Sequence, residues 1–139
     1  HVDHYFHGAN MAAFAAGLDY LVGVLPNTPG TRRLIDAAML AALPAHALVV
    51  NAGRGDTLDT AALVAALEAG RLAGAILDVF EEEPLPSGHP LWTTPGVLIT
   101  CHTAAPSFPA DIVGVFAHNY RRYVAGEPLN YRVDFDRGY

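Results

Sequence analysis

Four short apolar runs set the fold class that this chain can adopt. They are Tyr20–Leu25, Ala47–Asn51, Gly74–Val79 and Val97–Thr100. Each run is nearly continuous rather than an alternation of polar and apolar residues, which is typical of parallel strands that are covered on both faces. Because helix-like segments separate the runs, the sequence predicts an α/β fold built on a parallel sheet.

Four helix candidates lie before, between and after these runs. Asn10 and Asp59 precede two of them and are residue types that cap helix N-termini. Gly17 and Gly126 follow at positions where glycine commonly ends a helix, and Pro44 ends a shorter one. The predicted helices are Met11–Ala16, Asp36–Leu43, Thr60–Ala69 and Pro109–Ala125.

Composition and charge exclude several classes of function. Of the 139 residues, 52% are hydrophobic and 16% are charged, which indicates a folded domain rather than a disordered segment. The net charge of −6 argues against a nucleic-acid partner, and no apolar run is long enough to span a membrane. The single cysteine, Cys101, allows no internal disulfide, so we expect a reducing, cytoplasmic location.

Polar side chains follow three of the predicted strands at their C-terminal ends, where parallel sheets bind ligands. Arg54 lies between Gly53 and Gly55 and could grip a carboxylate with two hydrogen bonds; a surface arginine in a tight turn is the alternative. Asp78 ends an apolar run, where it could accept a hydrogen bond from a ligand. A capping or turn-forming role is more common for aspartate.

Glu83 and His102 form a candidate proton-transfer pair. Glu83 is the member of an acidic run that stands beside Pro84, which restricts the backbone there. A carboxylate next to an imidazole favours the protonated ring, so His102 would then donate a proton near neutral pH; a lone histidine is more often structural or a cap. In a continuing strand Cys101 would point away from His102, which argues against a Cys-His nucleophile.

A metal site is a further possibility that the sequence does not favour. His1, His4 and His7 are spaced by three, which on a helix would bring the imidazoles to one face. No fourth ligand is apparent near them, and we predict no metal site.

Seven segments carry a resemblance that runs from about Phe6 to Tyr139. They are Leu25–Thr31, Asn51–Gly55, Gly74–Phe80, Glu83–Pro86, His89–Trp92, Thr100–Ala105 and the ending Val133–Tyr139. In combination and in order they resemble the D-isomer-specific 2-hydroxyacid dehydrogenases, and within that family the glyoxylate/hydroxypyruvate reductase branch. The resemblance implies a Rossmann-like, doubly wound parallel sheet with helices on both faces, incomplete at its N-terminal side.

The resemblance also implies a role for each residue at the strand ends. Arg54 would bind the carboxylate of a small 2-oxo acid such as glyoxylate or hydroxypyruvate. His102 would donate a proton to the carbonyl oxygen as NAD or NADP delivers hydride, and Glu83 would hydrogen-bond His102. Asp78 would contact the nicotinamide carboxamide. The implied cofactor-binding residues are Leu25, Pro26, Ala52, Gly53, Arg54, Asp78 and His102.

Two positions beside His102 depart from the family pattern. Cys101 stands where the family usually has proline, and Thr103 stands where an aliphatic residue is usual. Both neighbour the catalytic position without replacing it. We therefore expect adjusted loop geometry rather than lost chemistry.

A larger departure is the absence of the Gly-x-Gly-x-x-Gly motif with which the family binds dinucleotide phosphates. The resemblance therefore implies the C-terminal portion of an enzyme, with residues 1–108 forming part of the NAD(P)-binding domain. Residues 109–139 would return toward a substrate domain. In the strand order 3-2-1-4-5-6 we expect Tyr20–Leu25 to be third and Ala47–Asn51 fourth, with two absent strands between them.

Two functions follow from these expectations. The first is an NAD(P)-dependent reductase of small 2-oxo acids, to which this chain contributes the C-terminal part. The alternative is a truncated, non-catalytic fragment that dimerises or senses a ligand. A homodimer is expected in either case, because half a sheet exposes an apolar edge.

Overall fold

A four-stranded parallel sheet forms the centre of the molecule. The structure, a computed structural model, describes residues 2–6 and 8–138. The strands are β1 (Tyr20–Gly23), β2 (Leu48–Asn51), β3 (Gly74–Leu77) and β4 (Val97–Ile99), and they pair in chain order. All three pairings are parallel, which confirms the predicted Rossmann-like fold class.

One part of the predicted topology is wrong. β1 pairs directly with β2, from Tyr20 opposite Leu48 to Gly23 opposite Asn51, so no strands separate them. In the order 3-2-1-4-5-6 the chain reverses its direction across the sheet once, between the third and fourth strands. The four strands of this chain pair in chain order, so all of them lie on one side of that reversal. The expected gap of two strands between β1 and β2 does not exist.

Four helices accompany the sheet: α1 (Met11–Ala15), α2 (Ala37–Ala42), α3 (Thr60–Glu68) and α4 (Pro109–Val124). Asp36 and Asp59 cap α2 and α3, accepting from the backbone N–H groups of Met39 at 2.8 Å and Ala62 at 3.0 Å. The predicted cap at Asn10 is wrong, because its side chain makes no capping hydrogen bond. The chain enters α1 through a 3-10 turn, so Asn10 lacks the extended backbone from which a cap reaches back.

The core lies between α1–α3 and one face of the sheet. Paired residues on that face, such as Leu21, Val49 and Ala75, are buried and share one cluster with side chains of the three helices. The next row of the sheet points the other way, and its outer members Val22 and Leu98 are more than half exposed. Helices therefore cover one face of the sheet in the described residues.

α4 differs from the other helices because none of its residues is buried. Gly126 ends it in the left-handed conformation, with φ of +70°, as the sequence predicts. No helix in the described ranges has the length and hydropathy needed to cross a membrane. His1 and His7 lie outside the described residues, within which no cluster of three metal-ligating side chains occurs.

Candidate active site

The C-terminal ends of β2, β3 and β4 meet at one edge of the sheet. Asn51, Leu77 and Ile99, the last strand residues, are partners in the parallel register. The loops that carry Arg54, Asp78 with Glu83, and His102 all leave from this edge. The sequence-based expectation that one edge gathers these loops is therefore confirmed.

A buried asparagine shapes the turn that presents Arg54. Asn51 is fully buried; its Nδ2 donates to the carbonyl oxygen of Arg54 at 3.1 Å, and its Oδ1 accepts from the N–H of Gly53 at 3.2 Å. Thr57, also fully buried, donates its hydroxyl to the same Arg54 carbonyl at 2.7 Å. The sequence analysis singles out neither residue. For Asn51 there is a usable signal, because it is a polar residue at the end of an apolar strand.

Two glycines allow this turn to fit between neighbouring chain segments. A Cβ on Gly55 would lie 1.9 Å from the carbonyl carbon of Phe80, and one on Gly53 would lie 2.7 Å from backbone atoms of Leu25. Neither position can hold a side chain unless the backbone moves. The Arg54 turn is thus fixed against both the segment after β1 and the segment after β3.

Glu83 and His102 are in direct contact. Oε2 of Glu83 lies 2.8 Å from Nδ1 of His102, and Oε1 accepts the backbone N–H of Phe80 at 2.9 Å. The hydrogen bond from His102 lowers the pKa of Glu83, and the Phe80 N–H and the charges of His102 and Arg54 lower it further against a partial desolvation. Because an ionised carboxylate can only accept, Nδ1 carries the proton and Nε2 faces away from Glu83.

Asp78 holds the backbone of the His102 turn. Asp78 is buried, and its carboxylate accepts the backbone N–H groups of Thr103 and Ala104, each at 2.9 Å, and the hydroxyl of Thr100. The Thr100 hydrogen bond is the main cause that lowers the pKa of Asp78, and the two N–H groups outweigh desolvation. Asp78 therefore forms a turn in this structure, which is the alternative to a ligand contact that the sequence left open.

The His102 turn itself has an unusual backbone. His102 has a φ of +55°, in the left-handed region that residues with a Cβ rarely adopt, and its N–H donates to the carbonyl oxygen of Asp78 at 2.7 Å. Since Thr103 contributes its backbone N–H, the departure from an aliphatic side chain there does not remove this contact. Cys101 is exposed, as is much of the His102 ring.

A cleft of about 480 Å³ opens beside the Glu83–His102 pair. Its walls are mostly apolar and include Phe80, Leu85 and Trp92. Trp92 is held by a hydrogen bond from its indole N–H to the carbonyl oxygen of Pro86 at 2.8 Å. The cleft gives an organic molecule room to lie against the imidazole.

The remaining predicted site residues follow β1 and β2. Ala52 donates its N–H to the carbonyl oxygen of Gly23 at 2.9 Å, which continues the pairing of the two strands by one residue. Pro26 accepts the hydroxyl of Thr31 at 2.6 Å through its carbonyl oxygen. Leu25 and Gly53 are in backbone contact distance, so this group adjoins the Arg54 turn.

Known proteins are similar to this chain in sequence and in fold. A family model described as the NAD-binding domain of D-isomer-specific 2-hydroxyacid dehydrogenase matches residues 2–104. Glyoxylate/hydroxypyruvate reductase A of Klebsiella pneumoniae subsp. pneumoniae is 41% identical over 131 residues, which are 94% of this chain and 42% of that protein. The chain therefore spans less than half the length of such curated relatives.

Solved structures of members of the same family are similar to this chain in fold. A D-isomer-specific 2-hydroxyacid dehydrogenase of Xanthobacter autotrophicus Py2, in complex with NADPH and MES, superimposes with a TM-score of 0.89 at 47% identity, covering 96% of this chain and 56% of that one. The NADPH-dependent glyoxylate/hydroxypyruvate reductase of Sinorhizobium meliloti, in complex with NADP and sulfate, gives 0.88 at 38%, covering 96% and 44%.

Proposed function

The chain belongs to the D-isomer-specific 2-hydroxyacid dehydrogenase family, and from this premise we propose that it supplies the proton donor and carboxylate grip of an NAD(P)-dependent reductase of small 2-oxo acids. The observation that carries the proposal is the 2.8 Å contact between Glu83 and Nδ1 of His102. Glyoxylate and hydroxypyruvate are the proposed substrates because they are named for relatives about 40% identical to this chain.

Each residue of the proposed mechanism does one task. Arg54 binds the substrate carboxylate through its guanidinium and thereby orients the 2-oxo group. His102 gives a proton from Nε2 to the carbonyl oxygen as negative charge develops there. Glu83, kept ionised by its lowered pKa, fixes the orientation of the ring through its hydrogen bond with Nδ1.

The residues at the strand edge fit the nicotinamide end of the cofactor. A carboxylate has about four acceptor positions, and since Asp78 accepts three hydrogen bonds from its own chain, one position is left for a carboxamide N–H. Leu25, Pro26, Ala52 and Gly53 would line the same ligand. NAD or NADP, when bound, supplies the hydride; this sequence contains no Gly-x-Gly-x-x-Gly to hold its phosphates.

A chimera tests the proposal. This chain would replace the matching 42% of the Klebsiella enzyme, and oxidation of NADPH or NADH would be followed with glyoxylate and with hydroxypyruvate. We expect turnover with at least one pair of substrate and cofactor. Arg54→Ala should lower kcat/KM by about a hundredfold (about 3 kcal/mol), since the substrate carboxylate loses the guanidinium that binds it.

Arg132→Ala is the matched control, because Arg132 is an exposed arginine distant in sequence from the strand edge. It should leave kcat/KM unchanged. If Arg54→Ala retains the full rate while the chimera is active, the role of Arg54 is refuted. If the folded chimera fails with both substrates and both cofactors, the reductase proposal is refuted.

The exposed apolar side of α4 favours a second candidate, a non-catalytic fragment that dimerises. Ile112, Phe116 and Tyr120 are each more than half exposed, and a self-association surface would cover them. In the first proposal the same residues, with the tail to residue 138, face a substrate domain, and the enzyme is a cytoplasmic homodimer. Sedimentation of the 139-residue chain together with the reductase assay separates the two candidates.

A further inference from the structure

We propose that Asp78 is a positioning residue that holds His102 in its left-handed turn, so that the imidazole reaches Glu83. The inference rests on the proposed function in one respect, namely that the imidazole of His102 donates a proton. It assigns Asp78 a second role beside the proposed nicotinamide contact, because a residue that only contacts a ligand does not need hydrogen bonds to the backbone around His102.

Three consecutive backbone N–H groups converge on this one aspartate. His102 donates to the carbonyl oxygen of Asp78 at 2.7 Å, Thr103 donates to Oδ1 at 2.9 Å and Ala104 donates to Oδ2 at 2.9 Å. Thr100 adds its hydroxyl to Oδ1 from the other side of the turn. Asp78 therefore contacts the chain before, at and after His102.

The turn needs such a clamp. A residue with a Cβ at a φ of +55° is strained, and such a conformation persists only when surrounding contacts over-determine it. Asp78 is itself buried and its hydrogen bonds to Thr103 and Ala104 are partly buried, whereas the side chain of His102 is half exposed. Among the described residues, Glu83 is the hydrogen-bonding partner of the His102 ring. The hydrogen bonds from Asp78 to the backbone thus hold the left-handed turn, which the exposed ring of His102 cannot hold.

Asp78 and Glu83 hold different parts of the same residue. Glu83 grips the ring at Nδ1, while Asp78 grips the backbone on which the ring is mounted. In this arrangement, loss of the Asp78 carboxylate changes the tautomer of the ring only because it weakens the contact between His102 and Glu83. A direct effect of the Asp78 charge on the imidazole would instead remain after Glu83 is removed.

A double-mutant cycle on the 139-residue chain separates these possibilities. The ¹⁵N chemical shifts of the His102 ring report how much of the neutral imidazole carries its proton on Nδ1, and amide hydrogen exchange reports the hydrogen bonds of Thr103 and Ala104. The variants are Asp78→Asn, Glu83→Ala and the double substitution, with Asp136→Asn as the control at an exposed aspartate.

Asp78→Asn should accelerate exchange of the Thr103 and Ala104 amides at least tenfold, while the amides of β2 stay protected. It should also convert His102 from the Nδ1-protonated tautomer to a mixture. Glu83→Ala should change the tautomer without changing the exchange, and adding Asp78→Asn to it should not change the ring further. Asp136→Asn should change neither reading.

Three results would overturn the inference: unchanged exchange in Asp78→Asn, an unchanged tautomer in that variant, or an equally large ring effect of Asp78→Asn after Glu83 is removed. If Asp78→Asn does not fold, Thr100→Val replaces it, with Thr100→Ser as its control. Thr100→Val should shift both readings in the same direction and Thr100→Ser should shift neither; no shift in Thr100→Val refutes the clamp.

These readings need neither cofactor nor substrate. An inactive chimera with an intact cycle would refute the proposed reductase and leave the clamp in place. An active chimera with a failed cycle would refute the clamp and leave the reductase in place. The two proposals therefore fail separately.

Discussion

The strand edge that carries the site and helix α4 differ in how the rest of the chain holds them. The strand edge buries the polar side chains of Asn51, Thr57 and Asp78, and each of these is hydrogen-bonded to neighbouring segments of the chain. α4 buries nothing; its half-covered residues contact mainly the tail that follows it, as in the hydrogen bond from Arg122 Nε to Pro128. Within the described residues, the backbone of the candidate site is therefore held by more buried contacts than helix α4 is.

The largest expected effect is at Gly55, on the side of the comparison that is tightly determined. Gly55→Ala places a Cβ 1.9 Å from the carbonyl carbon of Phe80, and backbone cannot yield there without breaking the fit of two loops. We expect a loss of about 3 kcal/mol in the free energy of unfolding, measured by urea titration with circular dichroism. Gly88→Ala, with open space around its Cβ, is the control; equal losses in both would show that the edge is not packed as described.

Asp78→Asn tests the polar contacts of the same edge. One carboxylate oxygen becomes an amide NH2 group, which cannot accept, so the partly buried N–H of Thr103 or Ala104 loses its charged partner, at a cost of about 2 kcal/mol at pH 7. The pKa of Asp78 is lowered on folding, so its stabilisation is present above the ordinary value of 3.8 and is lost as pH falls through the folded pKa.

The free energies of unfolding of the original chain and of Asp78→Asn should therefore converge below about pH 4. Urea titrations between pH 7 and pH 3 measure this difference. A difference that stays constant over the range would mean that the ionised carboxylate is not the group that stabilises the turn.

The difference between the two regions also explains what the sequence predicts. Continuous apolar runs, the cap at Asp59 and the helix stop at Pro44 are local signals, and they locate the strands and two helices to within one or two residues. The meeting of the loops at one edge follows from parallel pairing alone. Glu83 and His102 are singled out by their neighbours Pro84 and the preceding strand, and the structure brings them together.

The remaining features depend on contacts between distant segments. The bonds of Asp78 to Thr100, Thr103 and Ala104 span more than twenty residues, and no local pattern indicates them. The left-handed backbone of His102 occurs together with those bonds, and no local sequence pattern around His102 predicts it. The error in strand order has the same origin, since which strands pair is decided by burial across the whole sheet.

Gly114→Ala tests the loosely held side. Gly114 lies within α4 with nothing near its Cβ, so alanine should stabilise the helix by about 1 kcal/mol. Since α4 does not pack on the core, the gain should appear as greater helical content in circular dichroism. The midpoint of the cooperative urea transition should stay the same. A clear rise of that midpoint would mean that α4 unfolds together with the sheet, and the contrast between the regions would be lost.

The smallest expected effect on the free energy of unfolding is at Phe116. Phe116 is 68% exposed, and among the described aromatic residues its ring stacks on Tyr120, with centroids 6.3 Å apart. Phe116→Ser should therefore change the free energy of unfolding of the chain by less than about 0.5 kcal/mol. If α4 serves as an association surface, sedimentation should nevertheless show weaker self-association. Thr103→Ser, at an exposed residue of the strand edge, should leave both quantities unchanged. A large loss of stability in Phe116→Ser would show that α4 is held by the core after all.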